Sequence, residues 1–164
     1  MQIIKDGVLV EDGWIHLDDD APLPQAGSVT VSATRWLKER EILLQRGGSL
    51  GLRIGGADDL DALAPDLAGF ALITVEFPGL ADGRGFSIAR LLREDYGYGG
   101  EIRARGNFIQ DQLFYLKRVG VNAFEFTQAA DLAKMLPALE EFTVTYQAGC
   151  DERTPLYRRR NAGC

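Results

Sequence analysis

The chain has 164 residues, 46% of them hydrophobic, which is enough for one globular domain with its own core and no disulfide or metal staples. Its 24 acidic residues outnumber 18 basic ones, for a net charge of −6, and that balance argues against the broad attraction to nucleic acid that clustered Lys and Arg create. No run of about 18 apolar residues occurs and "MQIIKDG" does not read as a secretory leader, so a cytoplasmic protein away from the membrane is expected.

In chain order, residues 1–20 read as a β-meander, with Asp6-Gly7 and Asp12-Gly13 supplying the positive φ that hairpin turns need. His16 falls in this meander and reads as an ordinary surface residue. "APLPQAG" breaks regular structure, and "SVTVS" leads into a helix over about 33–46, where Trp36, Leu37, Leu43 and Leu44 recur at helical spacing. From residue 50, short β-rich runs ("LGLRI", "ALITVEF", "EIRAR", "NAFEF", "FTVTYQ") alternate with helices at about 58–67, 86–95, 108–119 and 129–140. That alternation predicts an α/β domain over 1–147, with βα repeats from 29 to 147. Residues 148–164 carry four arginines without periodicity and read as a basic, flexible tail, with an anion-binding arm as the second reading. Cys150 and Cys164 have no metal or iron–sulfur spacing, so no metal site is expected.

A charge inside a parallel strand needs an explanation, and four strands carry one: Arg53, Glu76, Arg103 and Glu125. Their signs alternate along the chain. Neighbouring strands in chain order would set each charge beside an opposite one, whereas the flavodoxin-like doubly wound order would set Arg53 beside Arg103. The expected sheet is therefore parallel, of about five βα units in mainly sequential order, curled like part of a (β/α) barrel; the flavodoxin-like sheet is the alternative. Glu76, Arg103 and Glu125, with Arg105 beyond, fall near the carboxyl ends of their strands, where such sheets place ligands. An ion-pair network that sets strand register explains the same residues.

The loop "DGRGFS" joins one strand to a helix at that edge. Gly83 and Gly85 permit close backbone approach, Ser87 can cap the helix, and Arg84 and free N–H groups suit an anion. A plain turn with a capped helix reads equally well, because the glycine spacing matches neither the dinucleotide fingerprint nor the P-loop. Arg90 lies on the polar face within reach of the loop, and Gln112 projects into an apolar arc, as a latch to the backbone or a ligand contact.

The segment "EFPGLADGRGFSIARLLREDYGYGGEIRARGNFIQDQLFYLKRVGVNAFEF" resembles the bacterial DUF934 family, described as oxidoreductases involved in sulfite reduction. The resemblance runs from about Val29 to Tyr146 and rests on Phe77-Pro78, Asp82 to Ser87, Ala89 to Arg93, Gly100 to Gly106 and Asp111 to Leu113. It implies work beside sulfite reductase or its electron donor. This chain has Val119 where the family often has cysteine, so thiol redox chemistry is not expected there. The residues carry no flavin, nicotinamide, haem or iron–sulfur signature, and the cofactor stays unassigned. Two functions follow. In one, Arg84, Arg90, Arg103, Arg105, Gln112, Ser87 and the glycines hold a small oxyanion or phosphate, with Glu76 or Asp82 moving protons. In the other, the protein is a non-catalytic docking partner. A homodimer is one way to cover the sheet's edges.

Overall fold

The computed structural model describes residues 1–128 and 131–161; residues 129–130, within the helix expected at 129–140, and 162–164, including Cys164, lie outside the described residues. One eight-stranded mixed sheet organises the chain. Its strands are β1 (Gln2–Lys5), β2 (Val8–Glu11), β3 (Ile15–His16), β4 (Val29–Ser32), β5 (Leu50–Ile54), β6 (Leu72–Phe77), β7 (Glu101–Gly106) and β8 (Ala123–Phe126). They lie in the order β2-β1-β8-β7-β6-β5-β4-β3. From β3 to β8 the strands are parallel and follow chain order, which excludes the flavodoxin-like alternative.

The sheet departs from the expected five-unit parallel one at both edges. Asp6 and Gly7 have positive φ and close the β1–β2 hairpin, as the dipeptide predicts. Asp12-Gly13 does not form a second hairpin turn. It carries the chain across to β3, which pairs with β4 at the opposite edge, so residues 1–20 are split between the edges and form no meander. The predicted strand "FTVTYQ" joins no ladder, because β1 lies antiparallel beside β8 where the next parallel strand would add. Residues 145–151 instead pack near the helix Leu113–Arg118, where the backbone N–H of Cys150 donates to Arg118 O and Arg118 Nη2 donates to Gln147 O.

The helices are α1 (Ala33–Leu44), α2 (Leu60–Leu63), α3 (Arg84–Glu94), α4 (Leu113–Arg118), α5 (Leu132–Met135) and α6 (Leu156–Asn161), with 3-10 turns at Ala64–Gly69, Gln110–Gln112 and Leu136–Glu140. Ser32 caps α1 by accepting the N–H of Arg35. Glu39 breaks the helical dihedrals of α1, and Leu37 and Leu44 face outward while Trp36 and Leu43 are buried. The apolar core holds one set of alternate strand residues: Val29 and Val31, Leu52 and Ile54, Ile73, Val75 and Phe77, Ile102 and Ala104, and Phe124. Helical residues such as Trp36, Ile88, Leu92, Leu113 and Leu116 pack against them.

The other alternate set is largely polar and points to the concave side: His16, Thr30, Arg53, Thr74, Glu76, Glu101, Arg103, Arg105 and Glu125. Period-2 alternation places these two sets on opposite faces. The expectation of near-continuous apolar strands assumed helices on both faces. They cover one, and the second face lines an interior of its own.

Candidate functional site

The sheet is strongly curled, and one contact measures the curl. A flat sheet would hold β3 and β8 roughly 24 Å apart at about 4.8 Å per strand. In the protein His16 Nε2, on β3, lies 2.9 Å from Glu125 Oε1 and 3.0 Å from Oε2, on β8. His16 Nδ1 meets the Thr30 hydroxyl at 2.7 Å. The side chain is only 13% exposed, so the surface role expected for it is corrected: it bridges the curled sheet from β3 to β8.

Arg103 lies at the centre of the interior, 1% exposed. Its guanidinium donates to Glu101 at 2.8 and 2.9 Å, to Asp12 at 3.0 and 3.1 Å and to Glu125 at 3.0 Å. Burial would lower its pKa, but the surrounding Asp12 and Glu101 outweigh that and raise it. Burial likewise would raise the Glu125 carboxyl; hydrogen bonds and charge from His16, with hydrogen bonds from Arg103 and Arg105, hold it instead at about 2. Lys5 closes the set on Glu101 at 2.7 Å. Donor atoms of Asp12, His16 and Glu125 come within 4.8 Å of one another, a spacing that metal ions use. Here the Arg103 guanidinium already bonds both carboxylates, and its charge opposes a second cation.

Toward the carboxyl ends of the strands the network loosens into a rim. Arg105 Nε donates to Glu125 at 2.9 Å, and its Nη1 stands 3.6 Å from Glu76. Arg53 donates from Nη2 to the Leu17 carbonyl at 2.6 Å and sits 3.9 Å from Glu76. Among the described residues, the terminal nitrogens of Arg105 have no hydrogen-bond acceptor. Arg105 is 29% and Glu76 41% exposed, and both line a cleft of about 290 Å³ floored by Gly55, Gly56 and Gly106. Below the rim, Thr74 is fully buried between Arg53 and Arg103 in the register, and among the described residues its Oγ1 has no partner.

The "DGRG" loop sits beside this cleft, and its groups satisfy one another. Asp82 accepts the backbone N–H of Arg84 at 3.1 Å and its guanidinium at 2.9 and 2.6 Å. The Arg84 hydrogen bonds outweigh the small effect of burial and hold the Asp82 carboxyl down at about 2. Thus the loop carries its own anion at the start of α3. Arg84 lies over Gly56, where a Cβ would come within 2.5 Å of its Nε. Helix α3 begins at Arg84 with Gly83 as its cap residue, so Ser87 is inside the helix, exposed, and does not cap it. Gly85 serves packing: a Cβ there would meet the Phe77 ring at 2.5 Å.

Arg90 pairs with Glu94 along α3 at 2.7 Å, away from the interior. Gln112 accepts the Ile109 N–H at 3.1 Å, the latch role. Cys150 is partly buried; burial, then Glu94, pushes its thiol pKa up. The structure thus joins Arg53, Glu76, Arg103, Arg105 and Glu125, keeps Asp82, Arg84, Gly83 and Gly85 in an adjacent loop, and leaves Arg90, Ser87 and Gln112 outside. Sequence reading overlooked Asp12, His16, Thr30 and Glu101. The signal was phase: Glu101 stands two residues before Arg103, and His16 alternates with apolar Ile15 and Leu17.

An α/β protein emerges whose curled sheet encloses an ionic interior and opens at the strand carboxyl ends into a cleft lined by arginine and glutamate. The chain belongs to the DUF934 family, bacterial proteins of unknown function, whose model matches residues 51–157. A stretch of 105 residues is also 30% identical to the 5-formaminoimidazole-4-carboxamide-1-(beta)-D-ribofuranosyl 5'-monophosphate synthetases of Methanococcus maripaludis strains C6 and C5. That alignment takes in 62% of this chain and 26% of each synthetase, so the chain spans about a quarter of the length of these relatives. Among the described residues, no helix is long and apolar enough to cross a membrane.

Proposed function

We propose that the rim cleft binds a small oxyanion, and that the protein serves assimilatory sulfite reduction as an accessory or oxidoreductase acting beside sulfite reductase. The observation that carries the binding reading is Arg105. Its Nε is fixed by Glu125, which orients the guanidinium, while among the described residues its terminal nitrogens make no hydrogen bond, Nη1 standing 3.6 Å from Glu76, and the side chain lines the cleft. A guanidinium so held presents two parallel donors to an oxyanion at little entropic cost. Arg53, largely buried, adds charge beside the cleft from 3.9 Å away from Glu76, and Glu76, between the two arginines, is the group placed to exchange a proton with a bound acid anion. The glycine floor lets a ligand approach the main chain. The archaeal synthetases that share the 105-residue stretch are named for a compound with a 5′-monophosphate, which is also an oxyanion. The sulfite pathway itself rests on the family resemblance.

Calorimetric titration of sulfite, sulfate and phosphate into the protein tests the reading. Arg105→Ala is expected to weaken binding at least tenfold, and Arg84→Ala, whose partner is Asp82, to change it little. No binding of any of the three overturns the oxyanion site. Retention on sulfite reductase by a protein that binds none of them selects the docking role instead.

A further inference from the structure

The charged cleft has an apolar neighbour. A second cleft, about 520 Å³, is lined by Leu80, Phe108, Ile109 and Phe126 and meets the first at Gly106 and Asn107, which line both. Both volumes lie near or within the range of small-molecule sites, roughly 300–1,000 Å³. Leu80 is 57% and Ile109 46% exposed, two aliphatic side chains flanking one opening beside a guanidinium. Phe108 and Phe126 also line it, their rings in contact at a 43° tilt with centroids 4.4 Å apart. The ridge between the clefts is bare backbone at Gly106. Gly106 has φ +125°, and a Cβ there would come within 2.3 Å of the Phe77 carbonyl oxygen. Asn107 is tied down on both sides, donating to Pro78 O at 3.0 Å and accepting from Gln128 at 3.2 Å.

Resting on the oxyanion reading of the rim, we infer that the physiological ligand is an organic anion: a tetrahedral oxyanion head group held at Arg105, joined to an apolar body that crosses Gly106 and covers Leu80 and Ile109. A bare inorganic ion occupies the charged cleft alone and leaves both aliphatic side chains in water. An aromatic or alkyl body removes them from it, and burial of that area makes an amphiphilic anion on the order of tenfold to a hundredfold tighter than its smallest analogue.

The test is calorimetry with methanesulfonate and naphthalene-1-sulfonate, which share a head group and differ in body, against the full chain and its Leu80→Ser, Ile109→Ser and Arg105→Ala variants. The expected result is naphthalene-1-sulfonate at least tenfold tighter than methanesulfonate, with that advantage reduced several-fold by Leu80→Ser and by Ile109→Ser and methanesulfonate binding unchanged. Both serine variants replace exposed side chains, so folding is retained. Equal affinity for the two sulfonates, or an advantage that survives both serine substitutions, overturns the organic-anion assignment and leaves the oxyanion site standing. Failure of both sulfonates and of sulfite to bind the wild-type chain overturns both readings together, whereas naphthalene-1-sulfonate binding that is indifferent to Arg105→Ala overturns the organic-anion assignment alone.

Discussion

His16 and Glu125 stand 109 residues apart in sequence and five strands apart in the sheet, yet the imidazole Nε2 touches both carboxylate oxygens, at 2.9 and 3.0 Å. The short strand that carries His16 is bonded to the sheet through β4 alone, so this contact ties a free edge back across the interior. His16→Ala removes it but leaves Glu125 with Arg103 and Arg105. A loss of about 1–3 kcal/mol in urea denaturation is expected. Arg103→Met, which strips the shared partner from Asp12, Glu101 and Glu125, is expected to lose more, about 3–5 kcal/mol. A stability change within 0.5 kcal/mol for Arg103→Met would mean that the interior is open to water.

Acid should unfold the protein through the same carboxylate. Glu125 holds its proton at about 2 in the folded chain, against 4.5 for the ordinary side chain. Between those values the unfolded chain binds more protons than the folded one, so stability rises with pH. The contribution is fully present above pH 4.5 and is lost as pH falls through about 2. It is on the order of 3 kcal/mol. Urea midpoints measured from pH 6 down to pH 2 should fall through this window, and the Glu125→Gln variant, less stable throughout, should fall less steeply.

Two glycines of the "DGRG" loop should respond differently to a methyl group. At Gly83 φ is −80° and an added Cβ meets nothing within 4 Å, so Gly83→Ala is expected to stay within about 0.5 kcal/mol of wild type. At Gly85 the Cβ would stand 2.5 Å from the buried Phe77 ring, and Gly85→Ala should cost about 1–3 kcal/mol through overpacking. Thermal melts of the two variants check the contrast. Equal melting temperatures would contradict the packing role assigned to Gly85.

Thr74 offers a change in the stabilising direction. Its hydroxyl is buried and, among the described residues, unpartnered, and an unpaired buried polar group costs about 1–3 kcal/mol. Thr74→Val keeps the shape and removes the polar atom. The expected outcome is a stability equal to or above wild type by up to about 1 kcal/mol in chemical denaturation. Marked destabilisation would reveal a hydrogen bond to Thr74 in solution.

Much of the architecture could be read from residues near one another in the chain. The alternation of β-rich runs with helical periods specifies the α/β class, and the turn at Asp6-Gly7 depends only on local dihedral preference. The alternating charges of Arg53, Glu76, Arg103 and Glu125 were enough to favour sequential strand order, because oppositely charged neighbours ease each other's burial. What local patterns do not carry is which edge a short strand joins. Residues 142–147 have strand periodicity, yet β1 takes the place beside β8, and β3 crosses to the far edge. Those choices depend on pairings summed over the whole sheet. They also decide that His16 and Asp12 meet Glu125 and Arg103 rather than water, and that the clefts on either side of Gly106 adjoin. A polar residue in a strand looks the same in sequence whether its face meets solvent or an enclosed interior; only closure of the sheet distinguishes the two.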